Sequence, residues 1–159
     1  MTFFELHAAR SDDGAQKIPA DAPTIRSIKS VSLCVKDLEQ AATDLTTRLG
    51  LDRTSDVTAM PMGFNRISLG GNGKTFITLN QPTDEGSAMA RLMRQRSNPR
   101  NVHGEGIYQI IVGVDDVEQM VDKIKEGGGR VTRNPNFTNV AWPHPLDTHM
   151  TLIELQKAD

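Results

Sequence analysis

The sequence predicts an α+β protein of two β-α-β-β-β modules, related by a pseudo-twofold axis, whose mixed, curved sheets form a central cleft. Three observations support this fold class. One segment of the first half matches, without gaps, a segment 79 residues further along the chain. In both segments an apolar, β-branched run changes into a pattern with helical spacing. Three short alternating runs follow each helical pattern, as expected for strands.

The internal repeat pairs residues 30–50, SVSLCVKDLEQAATDLTTRLG, with residues 109–129, QIIVGVDDVEQMVDKIKEGGG. Five positions are identical at the constant offset: Val35 and Val114, Asp37 and Asp116, Glu39 and Glu118, Gln40 and Gln119, and Gly50 and Gly129. Chance is a poor explanation for a gap-free match of this kind. We therefore interpret the two halves as copies of one module.

Each copy carries the signals of a strand that leads into a helix. Asp37 and Asp116 stand where an N-cap is expected, and a Gln follows each of them three residues later, as in a capping box. The predicted buried stripes are Leu38, Ala41, Leu45 and Leu49 in the first helix, and Val117, Met120, Val121 and Ile124 in the second. Gly50 and the glycine run 127–129 are expected to end the helices.

The alternating runs set the predicted boundaries. RTSDVTAM, FNRISLG and KTFITLNQ follow the first helix, and RVTRNP, TNVAWPHP and HMTLIELQ follow the second. The first module is predicted at 25–81 and the second at 107–156, within a single domain that spans 25–159. Residues 82–106 are predicted as a linker with a short helix, SAMARLMRQR. Residues 1–24 have few large apolar side chains and are predicted to form an N-terminal arm.

Composition argues against several classes of function. The 159-residue chain has 18 Lys and Arg residues against 20 Asp and Glu residues, so its net charge of -2 provides no overall positive field for nucleic acid. No apolar run approaches the roughly 20 residues of a membrane-spanning helix, so no membrane partner is expected. The one cysteine, Cys34, cannot form an internal disulfide, and no secretory signal pattern is visible. We therefore expect a cytoplasmic location.

The duplicated module and four motifs resemble the vicinal oxygen chelate superfamily, which includes glyoxalase I, methylmalonyl-CoA epimerase, extradiol dioxygenases and bleomycin resistance proteins. The motifs are VKDLEQA, P-x-x-E-G-S-A-M-A-R-L in the linker, VDDVEQMVDKIKEGGGRV and HPLDTHMTLIEL. They are most similar to methylmalonyl-CoA epimerase-like members. The resemblance covers about residues 25–156 and implies a cleft that binds a small molecule.

The resemblance also implies where a metal would be held. In metal-dependent members, the first and last strands of each half supply the ligands, typically two His and two Glu or Gln. The matching positions in this chain are Ser30, Thr78, Gln109 and Glu154. Hydroxyls are weak ligands for Zn, Fe, Co or Ni, and one carboxylate with one amide is too small a set of strong donors for tight binding. We expect no cofactor and no tightly bound metal, although weak divalent-metal binding stays open, and extradiol dioxygenase chemistry is disfavoured.

Two hypotheses for function stay open. In the first, the protein is an isomerase of the epimerase type, or a lyase, that acts on an acidic carbon next to a carbonyl. Glu154 would be the general acid or base, and Gln109, Ser30 or Thr78 would bind the oxygen. In the second, the protein binds or sequesters a small molecule without catalysis, as bleomycin resistance proteins do. Glu154 would then only form hydrogen bonds to Ser30, Thr78 or Gln109 across the pseudo-twofold axis.

Two residues near the last strand are further candidates for ligand binding. Trp142, the sole tryptophan, could form a stacking wall or pack in the core. His144, in the segment WPHP, could shape the mouth of the cleft or serve the turn that the adjacent prolines fix. The expected partner is a carbonyl compound, an acyl-CoA or an aromatic molecule. The exposed edges of eight short strands favour a homodimer.

Overall fold

The computed structural model describes residues 23–135 and 137–159, so the predicted N-terminal arm lies outside it except for Pro23 and Thr24. In the first half, strand β1 (Ile25–Cys34) leads into helix α1 (Leu38–Leu49), which β2 (Asp52–Arg53), β3 (Thr58–Met60), β4 (Phe64–Gly71) and β5 (Lys74–Pro82) follow. Helix α2 (Ala88–Arg96) comes next. The second half comprises β6 (Gly106–Val114), α3 (Val117–Glu126), β7 (Val131–Thr132), β8 (Val140–Pro143), a 3-10 turn (Pro145–Asp147) and β9 (Ile153–Lys157).

Helices α1 and α3 begin at the two aspartates that the sequence predicts as caps. The Asp37 carboxylate accepts a hydrogen bond from the Gln40 N–H at 3.0 Å, and Asp116 accepts one from the Gln119 N–H at the same distance. Each bond satisfies a backbone donor that has no partner within the helix. Helix α1 ends at Gly50, whose φ of 66° is the left-handed conformation that glycine adopts at helix ends.

The two modules join edge to edge in one curved sheet. Its strand order is β2-β4-β5-β1-β6-β9-β8-β7, with β3 paired to β4. At the seam β1 and β6 run antiparallel, with Ser32 opposite Gln109. Within the modules β1 pairs in parallel with β5, and β6 pairs in parallel with β9. The predicted α+β class, with duplicated modules and a mixed, curved sheet, is confirmed, and the seam shows that the first strands of the modules hold them together.

Each long helix covers one face of its own module and forms a separate apolar core there. The core under α1 consists of Val35, Leu38, Ala42, Ile67, Leu69 and Leu79. The core under α3 consists of Val112, Val114, Val117, Met120, Val121, Ala141 and Leu155. Leu49, predicted in the stripe of α1, is 62% exposed, because it is the last helical residue and the buried stripe ends one turn earlier. The opposite face of the sheet is therefore not covered by either of these helices.

The first predicted run after α1 forms two short strands instead of one. The Thr54 N–H donates to the Ser68 carbonyl at 2.9 Å, as in a regular ladder. The Ser68 N–H, however, donates to the hydroxyl of Ser55 at 2.9 Å. A side-chain oxygen thus replaces a backbone acceptor, and the pairing with β4 is interrupted in the stretch that separates β2 from β3.

The last strand also begins later than predicted. His149 and Met150 have φ values of 51° and 64°, which belong to the left-handed region and cannot continue a strand. They form part of the turn that follows the 3-10 turn, so β9 begins at Ile153.

Helix α2 lies between the modules. The Ser87 hydroxyl caps it by accepting from the Ala90 N–H at 3.1 Å, and Met89 and Met93 pack against Cys34 and Phe64. None of the helices in residues 23–135 and 137–159 has the length and apolar character needed to cross a membrane.

Candidate active site

A cleft of about 660 Å³ lies on the sheet face opposite α1 and α3. Strand alternation explains its walls, since Ala141 and Leu155 pack under α3 while Trp142 and Glu154 point to the other side. Apolar side chains from β3, β4 and β8, from the turn between β3 and β4, and from the segment before β8 line much of the cleft: Met60, Met62, Phe64, Phe137 and Val140. Among the described residues that line it, Glu154 is the only carboxylate.

Three N–H groups hold the Glu154 carboxylate. Its Oε2 accepts from Gln109 Nε2 at 2.8 Å and from Trp142 Nε1 at 3.1 Å, and its Oε1 accepts from Gln156 Nε2 at 2.6 Å. Hydrogen bonds to a charged acceptor are shorter and stronger than those between neutral groups, so this arrangement fixes the orientation of the carboxylate. The predicted contact between Glu154 and Gln109 is present, but both residues belong to the second module, so the bond does not cross the pseudo-twofold axis as expected. Gln156 is a partner that sequence reasoning missed.

Trp142 lies in the wall of the cleft. Its ring meets Phe137 edge to face, with ring centroids 6.3 Å apart and an interplanar angle of 83°. This is a favourable geometry for two aromatic quadrupoles. Trp142 therefore offers an apolar face to the cleft and a polar N–H to Glu154.

Ser30 and Thr78 lie in an adjoining cavity of about 530 Å³. Both are buried, and the Thr78 hydroxyl donates to the Ser32 hydroxyl at 2.9 Å. Arg66 lines both this second cavity and the cleft. The resemblance groups four positions into one site, but in the structure they line two cavities. Gln109 and Glu154 line the cleft, and Ser30 and Thr78 line the adjoining cavity.

His144 is not among the described residues that line the cleft. Its Nδ1 accepts from the Leu146 N–H at 3.2 Å and caps the 3-10 turn, and its own N–H donates to the Arg130 carbonyl at 2.8 Å. The same turn is held by Asp147, where the Arg130 guanidinium and N–H lower the pKa of the carboxyl to about 2. The structure places His144 in the turn, which is the second of the two roles considered for it.

Arg66 is a cleft residue that sequence reasoning missed. It shares a strand face with Phe64, while Ile67 points into the core under α1. Its guanidinium carbon lies 5.3 Å from the centre of the Phe64 ring, and its Nε donates to Asn80 Oδ1 at 2.8 Å. Burial lowers the pKa of this guanidinium, and the charge of Glu154 raises it in part. The alternation in FNRISLG indicated the face of Arg66 but gave no sign of a binding role.

A buried hydrogen-bond network holds Asn80 in place. Asn80 is 0% exposed, and its Nδ2 donates to the Ser32 hydroxyl at 2.7 Å and to the Leu33 carbonyl at 3.1 Å. With its Oδ1 accepting from Arg66, both ends of the amide are satisfied. Such a network has one preferred arrangement, so it fixes the position of the Arg66 Nε.

The donor chemistry of the site does not match a divalent-metal centre. Glu154 already accepts three hydrogen bonds, and the Gln109 amide donates to it. Ser30 and Thr78 offer only neutral hydroxyls. Among the residues that the structure describes, no group of three His, Cys, Asp or Glu side chains is placed to hold a metal ion.

A family model and a curated relative both match most of this chain. The family model of the Glyoxalase/Bleomycin resistance protein/Dioxygenase superfamily matches residues 27–142. A curated relative, ethylmalonyl-CoA/methylmalonyl-CoA epimerase from Cereibacter sphaeroides, is 30% identical over 139 residues, which are 84% of this chain and 98% of that protein.

Solved structures share the fold at lower sequence identity. The methylmalonyl-CoA epimerase of Mycobacterium tuberculosis has a TM-score of 0.71 and 24% identity, and the match covers 92% of this chain and 96% of that one. A variant of Streptomyces coelicolor methylmalonyl-CoA epimerase, in complex with 2-nitronate-propionyl-CoA, has a TM-score of 0.68 and 22% identity, with coverage of 85% and 99%. At these identities the two matches show a common architecture.

Proposed function

The chain belongs to the Glyoxalase/Bleomycin resistance protein/Dioxygenase superfamily, and on that premise we propose that it is an isomerase of the epimerase type. It would act on a carbon next to a carbonyl group. The observation that carries the proposal is the Glu154 carboxylate, which three N–H donors orient in the cleft. No other described residue that lines the cleft has a carboxylate. The epimerase names of its relatives favour this reaction over a lyase reaction.

The proposed chemistry needs one base and no redox step. Glu154 accepts the proton from the carbon next to the carbonyl, and the electron pair of the broken C–H bond moves to the carbonyl oxygen. The resulting enolate takes up a proton from water at the same carbon, and Glu154 returns its own proton to the solvent. When the proton from water arrives on the opposite face, the configuration of the carbon is inverted.

The cleft fits a small acyl group. Its volume of about 660 Å³ lies within the range of roughly 300–1,000 Å³ that is usual for small-molecule sites. Its apolar walls suit an alkyl branch. Because the curated relative is named for ethylmalonyl-CoA and methylmalonyl-CoA, we propose an acyl-CoA thioester as the ligand.

We also propose that the reaction needs no tightly bound divalent ion. Two neutral hydroxyls, one amide and one carboxylate that already accepts three hydrogen bonds form a weak set of ligands for such an ion. Catalysis would then rest on the side chains of the cleft.

Hydrogen exchange tests the proposal directly. The purified protein, treated with a chelator, is mixed with methylmalonyl-CoA or ethylmalonyl-CoA in D₂O, and loss of the α-proton signal is followed by NMR. We expect exchange well above the rate without protein, with or without the chelator. Exchange at the protein-free rate for both thioesters would rule out the epimerase proposal. Activity lost with the chelator and restored by a divalent ion would rule out the metal-free proposal.

A second candidate function is binding without turnover. It is favoured by the apolar side chains in the walls of the cleft, which include Met60, Met62, Phe64 and Phe137. Trp142 is the sole tryptophan of the chain and lies in this cleft, so its fluorescence reports on binding there. Quenching by an acyl-CoA in the absence of α-proton exchange would favour the binding protein over the enzyme.

We propose in addition that the chain forms a homodimer. Ile28 and Phe76, on the neighbouring strands β1 and β5, are 68% and 45% exposed, and a partner chain would cover these two apolar side chains. Light scattering during size-exclusion chromatography should give about twice the 17.5 kDa chain mass at micromolar concentration. The monomer mass at every concentration tested would contradict this.

A further inference from the structure

Arg66 is a half-buried cation between the two cavities of the sheet face. Within the described part of the chain, no carboxylate forms an ion pair with it. Glu154 lines the same cleft, and its charge partly offsets the lowering of the Arg66 pKa, but no hydrogen bond or ion pair joins the two side chains. Arginine stays protonated at neutral pH even when burial lowers its pKa. The cleft therefore contains a positive charge that is only partly balanced.

The guanidinium is held by one edge and leaves the other free for a ligand. Its Nε donates to Asn80, and its plane lies near the Phe64 ring. No described residue accepts a hydrogen bond from its two terminal nitrogens. These nitrogens form the fork that binds carboxylate and other anionic oxygens through paired hydrogen bonds.

We propose that Arg66 binds and stabilises the negatively charged oxygen of the ligand in this cleft. In this chain it would supply the positive charge that the resemblance assigns to a divalent ion. The position of Arg66 supports this replacement of a metal ion by a side chain. Arg66 lines both the cleft, which contains Gln109 and Glu154, and the adjoining cavity, which contains Ser30 and Thr78. A cation at that point also repels a divalent ion.

The catalytic part of this inference rests on the proposed epimerase function. As Glu154 takes the proton, the electron pair moves to the carbonyl oxygen, and the terminal N–H groups of Arg66 donate to that oxygen. When the carbon is protonated again, the pair returns and the neutral carbonyl is restored. Atoms and electrons balance with water as the only further reactant, since it supplies the proton for the carbon and Glu154 returns its own proton to the solvent.

Binding of a small anion tests the site independently of any reaction. Malonate, and its uncharged analogue malonamide, are titrated at constant ionic strength while Trp142 fluorescence is recorded. We expect malonate to bind the wild-type protein and malonamide to bind at least tenfold more weakly. Arg66→Met should weaken malonate binding at least tenfold. Arg48→Met removes the same charge from the exposed end of α1 and should leave malonate binding unchanged.

Two results of the titration would overturn the inference. One is equal binding of malonate and malonamide to the wild-type protein, including no binding of either. The other is malonate affinity in Arg66→Met within twofold of wild type. If Arg66→Met does not fold, as judged by circular dichroism, Arg66→Lys replaces it. Lysine keeps the charge but lacks the fork, so a loss of affinity smaller than tenfold but larger than twofold is expected.

The exchange assay separates this inference from the proposed function. With an active wild-type protein, Arg66→Met should slow α-proton exchange by roughly 10²–10³-fold, the usual effect of removing a donor from a developing oxyanion. Arg66→Lys should recover part of the rate. An unchanged rate in Arg66→Met would overturn the role of Arg66 and leave the epimerase intact. Malonate binding that depends on Arg66, in a wild-type protein without exchange activity, would overturn the epimerase and leave the anion site intact.

Discussion

Glu154→Gln should reduce protein-dependent α-proton exchange by roughly 10²–10⁴-fold, the range usual for loss of a positioned general base. The amide has almost the same shape as the carboxylate, but it cannot accept a proton from carbon. Because the change leaves the walls of the cleft in place, kcat should fall while KM changes little. Initial rates of exchange at several thioester concentrations in D₂O give both quantities.

A matched control separates chemistry from charge. Glu126→Gln removes the same charge from the exposed C-terminal end of α3, away from the cleft, and should keep the wild-type rate. A kcat for Glu154→Gln within tenfold of wild type would show that Glu154 is not the base. Circular dichroism of both variants confirms that the comparison is between folded proteins.

Leu79→Ala should lower the free energy of unfolding by about 2–5 kcal/mol, the cost that large-to-small substitutions have in well-packed cores. Leu79 is 0% exposed and packs with Ile67 and Leu69 under α1. Truncation removes buried methyl groups and leaves a cavity that the flanking strands cannot close, since β5 is paired on both sides. Urea unfolding followed by circular dichroism gives the change.

Leu49→Ala is the control for the same chemical change at an exposed site. Leu49 is 62% exposed at the end of α1, so its truncation should change the free energy of unfolding by no more than about 0.5 kcal/mol. A loss below 1 kcal/mol for Leu79→Ala would show that the core under α1 rearranges to fill the space.

Most of the fold could be predicted because local signals are repeated. The caps Asp37 and Asp116 and the strand runs after each helix depend on near neighbours in sequence, and the structure has them in the predicted order. Finer details depended on contacts that no local pattern encodes. The Ser55 hydroxyl accepts from the N–H of Ser68, which lies 13 residues further along the chain, and the seam joins β1 to a strand that begins only at Gly106.

The candidate site was predicted only in part. The overlay and the resemblance led to Glu154 and Gln109, which the structure brings into contact at 2.8 Å. They also led to Ser30, but the buried network uses Ser32, on the same face of β1. Arg66 was not predicted as a functional residue, because an arginine in an alternating strand is usually solvated. The position of its guanidinium depends on a hydrogen bond to Asn80, which lies 14 residues away in sequence.

The antiparallel seam between β1 and β6 limits how this chain can be divided. If the chain were cut in the linker, each fragment would expose the whole backbone edge of a strand, ten residues of β1 in one and nine of β6 in the other. Long unpaired edges of this kind recruit other chains and promote aggregation. The cut would also separate Arg66 from Glu154. We therefore expect that neither module folds stably by itself, although each has its own apolar core.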